Sequence, residues 1–145
     1  MRSQMIPLGC VAHSGPGVAG ARARELLRRA DRLYADAGYE QEAGDKFRGA
    51  YLAALRGVAT VLALHEEPRR RGRRTRNAWV LLEGVSAEWA RWSAAFVEYS
   101  RRRAAFEAGI GSVSDADAER LFGLTGDFLD AVHEAVSGFR APGAA

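Results

Sequence analysis

The sequence has few of the residues from which common functional sites are built. Cys10 is the single cysteine and Lys46 the single lysine, and the chain has three histidines. A single cysteine excludes an intrachain disulfide, and we expect a reducing, cytoplasmic compartment. No stretch approaches the ~20 apolar residues that a membrane span needs. We therefore expect no disulfide framework and no membrane partner.

Motifs for metal binding and covalent catalysis are also missing. Metal sites in helical bundles commonly need Glu-x-x-His on two helices, whereas Asp130 with His133 is one loose analogue without a second copy. The sequence contains no Gly-x-Ser-x-Gly motif and no glycine-rich loop ending in Gly-Lys-Ser/Thr. We therefore assign no catalytic, metal or cofactor-binding residue and expect no cofactor.

Charge is distributed unevenly along the 145 residues. The formal net charge is +3, but six arginines lie within eight residues, and without them the remainder would carry −3. This arginine-rich segment comprises Arg69, Arg70, Arg71, Arg73, Arg74 and Arg76. A cationic segment without acidic residues suits phosphate backbones, which makes it a candidate nucleic-acid contact. The alternative is a solvated, mobile connection.

Apolar residues recur at helical spacing, and no alternating strand pattern appears. The stripes comprise Leu26, Ala30, Leu33 and Ala37; Phe47, Tyr51, Leu55, Val58 and Leu62; Trp89, Trp92, Phe96, Tyr99 and Phe106; and Leu121, Thr125, Phe128, Val132 and Val136. A shorter stripe contains Trp79, Leu81 and Leu82. The pattern predicts an all-α fold: an antiparallel up-and-down four-helix bundle with one extra short helix.

Breaker and capping residues set the predicted boundaries. A cluster of glycine and proline at residues 14–17 and helical spacing from about Ala21 predict a flexible leader over 1–20, a bundle over 21–139 and a flexible tail over 140–145. Asn77 and Ser86 are typical N-caps, and Ser114 with Asp117 resembles a capping box. Charges four residues apart are typical of exposed pairs that support a helix, namely Glu25 with Arg29, Glu42 with Lys46 and Glu98 with Arg102.

Large aromatic residues concentrate in the second half of the chain. Trp79, Trp89 and Trp92 lie close together in sequence. Core packing is one interpretation; the other is an interface in which large aromatics act as anchors. We predict a self-complementary patch around Trp89, Trp92 and Tyr99, through which two copies form a homodimer.

Several blocks, in this order and spacing, are similar to a known superfamily. They are ARELL at 23–27, KFRGAYLAALR at 46–56, WVLL at 79–82, EWA at 88–90, RAAFEAG at 103–109 and FL at 128–129. From about residue 23 to 139, the chain resembles the HEPN (higher eukaryotes and prokaryotes nucleotide-binding) superfamily, in particular a small actinobacterial branch. The resemblance implies an up-and-down helical bundle that is often dimeric. Many members are metal-independent ribonucleases of toxin–antitoxin or defence systems.

The sequence departs from the ribonuclease pattern of that superfamily. Activity there depends on an arginine followed by about four to six residues and then a histidine, with two copies meeting across a dimer. The nearest upstream arginines are separated by eight residues from His65, twelve from His133 and ten from His13. No catalytic residue can therefore be carried over from the resemblance.

Two functional hypotheses remain open. The first is a non-catalytic bundle that acts as a dimerisation or protein-interaction module, with weak RNA or DNA binding through the arginine-rich segment. The second is a diverged ribonuclease, or a toxin–antitoxin component, with a displaced active site. We favour the first, because acid–base chemistry needs convergent groups and the sequence indicates none.

Overall fold

A computed structural model of the chain describes residues 14–65 and 77–139. Five helices and no strand occur within these two ranges, which confirms the predicted all-α class. The helices are α1 (Ser14–Gly38), α2 (Ala43–Leu64), α3 (Ala78–Glu83), α4 (Ala87–Glu107) and α5 (Asp115–Ser137). The short helix α3 lies between the second and third long helices, as the sequence predicts.

The first helix begins at Ser14, earlier than the start predicted near Ala21. Pro16 falls in its first turn, where backbone N–H groups have no intrahelical partner, so a residue without an N–H is tolerated there. The predicted leader is therefore too long, because residues 14–20 belong to α1. Residues 1–13 and the predicted tail at 140–145 lie outside the described residues.

The predicted caps form at the starts of the next helices. The Asn77 side chain accepts hydrogen bonds from the backbone N–H groups of Trp79 and Val80, at 2.9 and 3.4 Å. Ser86 Oγ accepts one from Trp89 N at 3.3 Å. At α5, Ser114 and Asp117 satisfy each other's backbone N–H groups in a complete capping box. Polar side chains thus supply partners that the first helical turn lacks.

The two central helices, α2 and α5, run in the same direction. Lys46 lies beside Glu119 and Ala50 beside Thr125, while Gly57 packs against Phe128 and Leu129 further along. Helix α1 contacts both central helices, whereas α4 lies beside α2 on an aromatic layer. Alternating directions place the second and fourth long helices parallel, as in an up-and-down bundle.

Small residues bring α1 close to α2. Ala23, Ala30 and Ala37 repeat every seven residues along α1 and are at most 1% exposed. A Cβ atom built on Gly49 of α2 would lie 3.0 Å from the Cβ atom of Ala37. Because neither position carries a larger side chain, the two helix backbones approach closely.

Large aromatic rings fill the space between α4 and the central helices. Phe128 lies at their centre, with Phe96, Trp92 and Trp89 at ring-centroid distances of 5.3, 5.4 and 6.0 Å. Trp79 stacks on Phe96 at 4.6 Å and donates its indole N–H to the Tyr51 hydroxyl at 2.8 Å. The indole N–H therefore has the partner that burial requires.

Helix α2 is long and apolar enough to cross a membrane, contrary to the expectation from the sequence that no segment would be. Its most apolar stretch has a mean hydropathy of 1.3, and 61% of that stretch is buried inside the fold. A mostly buried core helix has the same composition, because its apolar residues contact neighbouring helices. Burial therefore accounts for the hydropathy of α2.

Alanine substitutions at two glycines should change the stability of the protein in opposite directions. A Cβ atom at Gly57 would lie 2.8 Å from the Phe128 ring and 2.9 Å from Leu129, whereas nothing lies within 4 Å of one at Gly123. We expect Gly57→Ala to lower the free energy of unfolding by about 1–2 kcal/mol, since overpacking exceeds the gain in helix propensity. Gly123→Ala should raise it by about 0.5–1 kcal/mol. Urea unfolding checks both, and a stabilised Gly57→Ala variant would contradict the packing described.

Candidate interaction surface

The predicted aromatic interface is not an exposed patch. Trp89 is 5% exposed and belongs to the core, while Trp92 and Tyr99 are partly buried against that core. Tyr99 lies 6.2 Å from Phe47, and Trp92 contacts Phe128. Packing within one chain therefore explains most of this aromatic surface, and the patch needs no second copy to cover it.

The opposite face of α4 is exposed instead. Trp89, Ser93 and Phe96 are the buried residues of this helix, and they recur at intervals of four and three residues on one side. Half a turn away lie Arg91, Ala94, Ala95 and Glu98, all exposed. We call these four residues the outer face of α4. No other described helix covers it.

A groove lies on each side of the outer face. Glu88, Arg91, Trp92 and Ala95 line one groove. The other runs between α3 and α4 and is lined by Trp79, Val80 and Val97, with Arg101 at one end. Val80 and Val97 remain 45% and 39% exposed. The surface of α4 therefore combines charge with accessible apolar area.

A dense ion-pair network lies where α4 ends and α5 begins. Arg102 donates two hydrogen bonds to the Asp117 carboxylate, at 3.1 and 2.5 Å, and Arg120 donates one at 3.0 Å. The bonds from Arg102, together with the Ser114 backbone N–H, hold the pKa of Asp117 far below its usual range. The same contact raises the pKa of Arg102. The network fixes the C-terminal end of α4 to α5.

Of the ion pairs that the sequence predicts within single helices, Glu25 with Arg29 forms at 3.4 Å, and the other two are replaced. Glu98 pairs with Arg101 rather than with Arg102, and Lys46 pairs with Glu119 of α5 at 2.7 Å rather than with Glu42. Sequence spacing shows only neighbours on one helix, so it missed contacts between helices. Arg101, which pairs with Glu98, lies on the outer side of α4, and its side chain is 68% exposed.

His133 lies in an acidic cleft between α1 and α5. Its Nε2 atom is 2.9 Å from the nearer carboxylate oxygen of Asp31. The cleft encloses about 410 Å³ and is also lined by Tyr34, Asp127 and Asp130. Burial raises the pKa of Tyr34, and the charges of Asp127 and Asp130 add to the rise. No sequence motif indicates Asp31 as the partner of His133, because the two residues are 102 positions apart.

Among the residues that the structure describes, no arginine lines the cleft with His133. His65 caps α2, and its ring nitrogen lies 3.0 Å from the Val61 carbonyl oxygen. Within residues 14–65 and 77–139, no group of three or more His, Cys, Asp or Glu side chains could hold a metal ion. The loose Asp130–His133 analogue therefore gains no further ligands from the described helices.

The arginine-rich segment lies outside the described residues, as does His13.

The described residues form an all-helical bundle. Residues 37–133 match the family model for SAV_6107-like HEPN domains. The match spans more than half of the chain, and the protein belongs to this HEPN family. No curated protein and no solved structure gives a significant match. Family membership thus agrees with the resemblance found in the sequence.

Proposed function

We propose that the protein is a non-catalytic HEPN-type interaction module, which dimerises or docks on another protein through the outer face of α4. The observation that carries this proposal is the division of α4 into two faces. One face carries the buried residues Trp89, Ser93 and Phe96, while the opposite face carries exposed charges around Ala94 and Ala95. The expected setting is the cytoplasm, in keeping with the single cysteine.

Rigidity of the helix supports its use as a binding surface. The Asp117 network fixes the C-terminal end of α4. Near the middle of α4, Ser93 Oγ donates a hydrogen bond to the Trp79 carbonyl oxygen at 2.8 Å. A partner would therefore meet a pre-organised helix and lose little conformational entropy by ordering it.

The ribonuclease alternative has less support from the charges around the histidines. An RNA phosphate approaching His133 would meet the carboxylates of Asp31, Asp127 and Asp130, which repel it. Developing negative charge in a phosphoryl-transfer reaction needs nearby cations, and the described residues that line this cleft include no arginine or lysine.

We expect purified full-length protein to leave RNA uncleaved, with or without divalent metal ions. The reason is the acidic surrounding of His133 and the unsuitable arginine–histidine spacing. Incubation with a fluorescent single-stranded RNA, resolved on a denaturing gel, checks this. Cleavage above background that His133→Ala or Arg102→Ala abolishes would contradict the expectation, whereas cleavage unaffected by both variants would indicate a contaminating nuclease.

The arginine-rich segment should give weak, sequence-tolerant binding to nucleic acid. We expect dissociation constants on the order of 10⁻⁴ to 10⁻⁶ M, with a log–log salt slope no steeper than about six, because each arginine releases at most one counterion. Replacing Arg70, Arg71, Arg73 and Arg74 together with alanine should abolish binding. Fluorescence anisotropy with RNA across a salt series checks this. A parent protein that binds nothing at low salt would exclude the contact.

Purification from native cells tests the proposed role of α4. Tagged wild-type protein should retain a bound protein, either a second copy or another chain, that mass spectrometry identifies. Ala94→Glu should lose it, because a charge is placed at the centre of the outer face. Asp36→Lys changes the charge of an exposed position on α1 and serves as the control. If wild type and Ala94→Glu retain the same partners, α4 is not the docking surface.

A further inference from the structure

The charged residues along the outer side of α4 are placed symmetrically about its midpoint, with opposite signs at equivalent positions. From the N-terminal end they are Glu88, Arg91, Glu98 and Arg101, with Ala94 and Ala95 at the midpoint. Read in the opposite direction, each position carries the opposite sign. An antiparallel copy of the helix, centred between Ala94 and Ala95, therefore places a carboxylate level with every arginine and an arginine level with every carboxylate.

We propose that the partner of the outer face is a second copy of this chain, with the two α4 helices antiparallel and Arg91 paired with Glu98 of the other copy. This proposal rests on the proposed function and identifies the occupant of the same surface. Two-fold symmetry makes the contact twice, since each chain contributes one Arg91 and one Glu98.

Arg91 and Glu98 are the two charges best placed for this contact. They are seven residues apart, two helical turns, so both project from the same side of α4, opposite the buried Ser93 and Phe96. Arg91 forms no ion pair within the described part of the chain. Glu98 has a side chain 64% exposed, and its pairing with Arg101 leaves it accessible. Both groups are therefore accessible to a charged partner.

The alanines at the midpoint permit close approach. Ala94 and Ala95 are exposed and carry only a methyl group each, so two helix backbones can come near enough for the flanking charges to meet. A parallel arrangement in the same register would bring Arg91 against Arg91 and Glu98 against Glu98. Repulsion between like charges thus selects the antiparallel arrangement.

Charge-reversal variants test the register. Arg91→Glu alone should weaken dimerisation at least about tenfold, because two attractive contacts become repulsive. Glu98→Arg alone should do the same. When the two variant proteins are mixed, both contacts again join opposite charges, and a heterodimer should form with an affinity within about threefold of wild type. Sedimentation velocity at about 1–100 µM measures all four samples.

The control is Arg28→Glu on α1, which removes an exposed pair with Glu25 and leaves α4 unchanged. It should dimerise like wild type, and circular dichroism should show every variant folded. Single variants that dimerise like wild type, or a mixture that stays monomeric, would overturn the register. A wild-type protein that is monomeric throughout would overturn the second copy as partner. The proposed function has its own test, the purification from native cells: it fails if Ala94→Glu retains the same partners as wild type.

Discussion

Phe128→Ala should lower the free energy of unfolding by about 3–5 kcal/mol, the typical cost of truncating a buried phenylalanine. Phe128 is fully buried, and three tryptophans and Phe96 surround its ring within 6.4 Å. These large rings are anchored on α4 and on α3, so they cannot collapse into the vacated space. The substitution would therefore leave a cavity.

Urea unfolding followed by circular dichroism measures this loss. Phe96→Ala should cost a similar amount, since Phe96 is also fully buried and stacks on Trp79. Val80→Ala, at a position 45% exposed, is the control and should change stability by less than about 0.5 kcal/mol. A loss below about 1 kcal/mol for Phe128→Ala would contradict the position of this ring at the centre of the core.

Asp117→Ala should lower the free energy of unfolding by about 2–3 kcal/mol at neutral pH, because it removes half of a capping box and charge-assisted bonds to two arginines. The Asp117 side chain is 12% exposed, so water replaces these contacts poorly, whereas Arg120 is 64% exposed and readily solvated. Asp115→Ala, in the same first turn but exposed, is the matched control and should cost much less.

The contribution of Asp117 should also depend on pH. Its pKa is lowered in the folded protein, so the unfolded chain takes up the proton first as the pH falls. The stabilisation is fully present above the unfolded pKa of about 3.9 and is lost as the pH falls below it toward the lower folded value. The difference in free energy of unfolding between wild type and Asp117→Asn should therefore become smaller below about pH 4. If this stability difference does not change between pH 7 and pH 3, the ionised Asp117 carboxylate is not its cause.

Periodicity and capping chemistry predicted most of the fold. Apolar spacing identified the stripes that contain Phe47, Phe96 and Phe128, all now fully buried. Asn77, Ser86 and Ser114 marked helix starts because an N-cap needs a particular local side chain. The start of α1 was missed because Ser14 and Pro16 suit a first helical turn as well as a loop.

Contacts between helices could not be read from the sequence in the same way. The partner of Arg102 is Asp117 on another helix, and that of His133 is Asp31 on a helix at the other end of the chain. Trp89 looked like an interface residue because aromatics are common both in cores and at interfaces. Only the packing of α4 shows which side of that helix is buried and which is exposed.

Self-association through α4 is the central claim, and the mass of the full chain in solution tests it most directly. Multi-angle light scattering should give twice the 15.7 kDa of one chain for wild type. Because the proposed contacts are ionic and exposed, the apparent mass should fall toward that of one chain as salt is raised to about 1 M. A mass of 15.7 kDa at all micromolar concentrations and at low salt would contradict the claim.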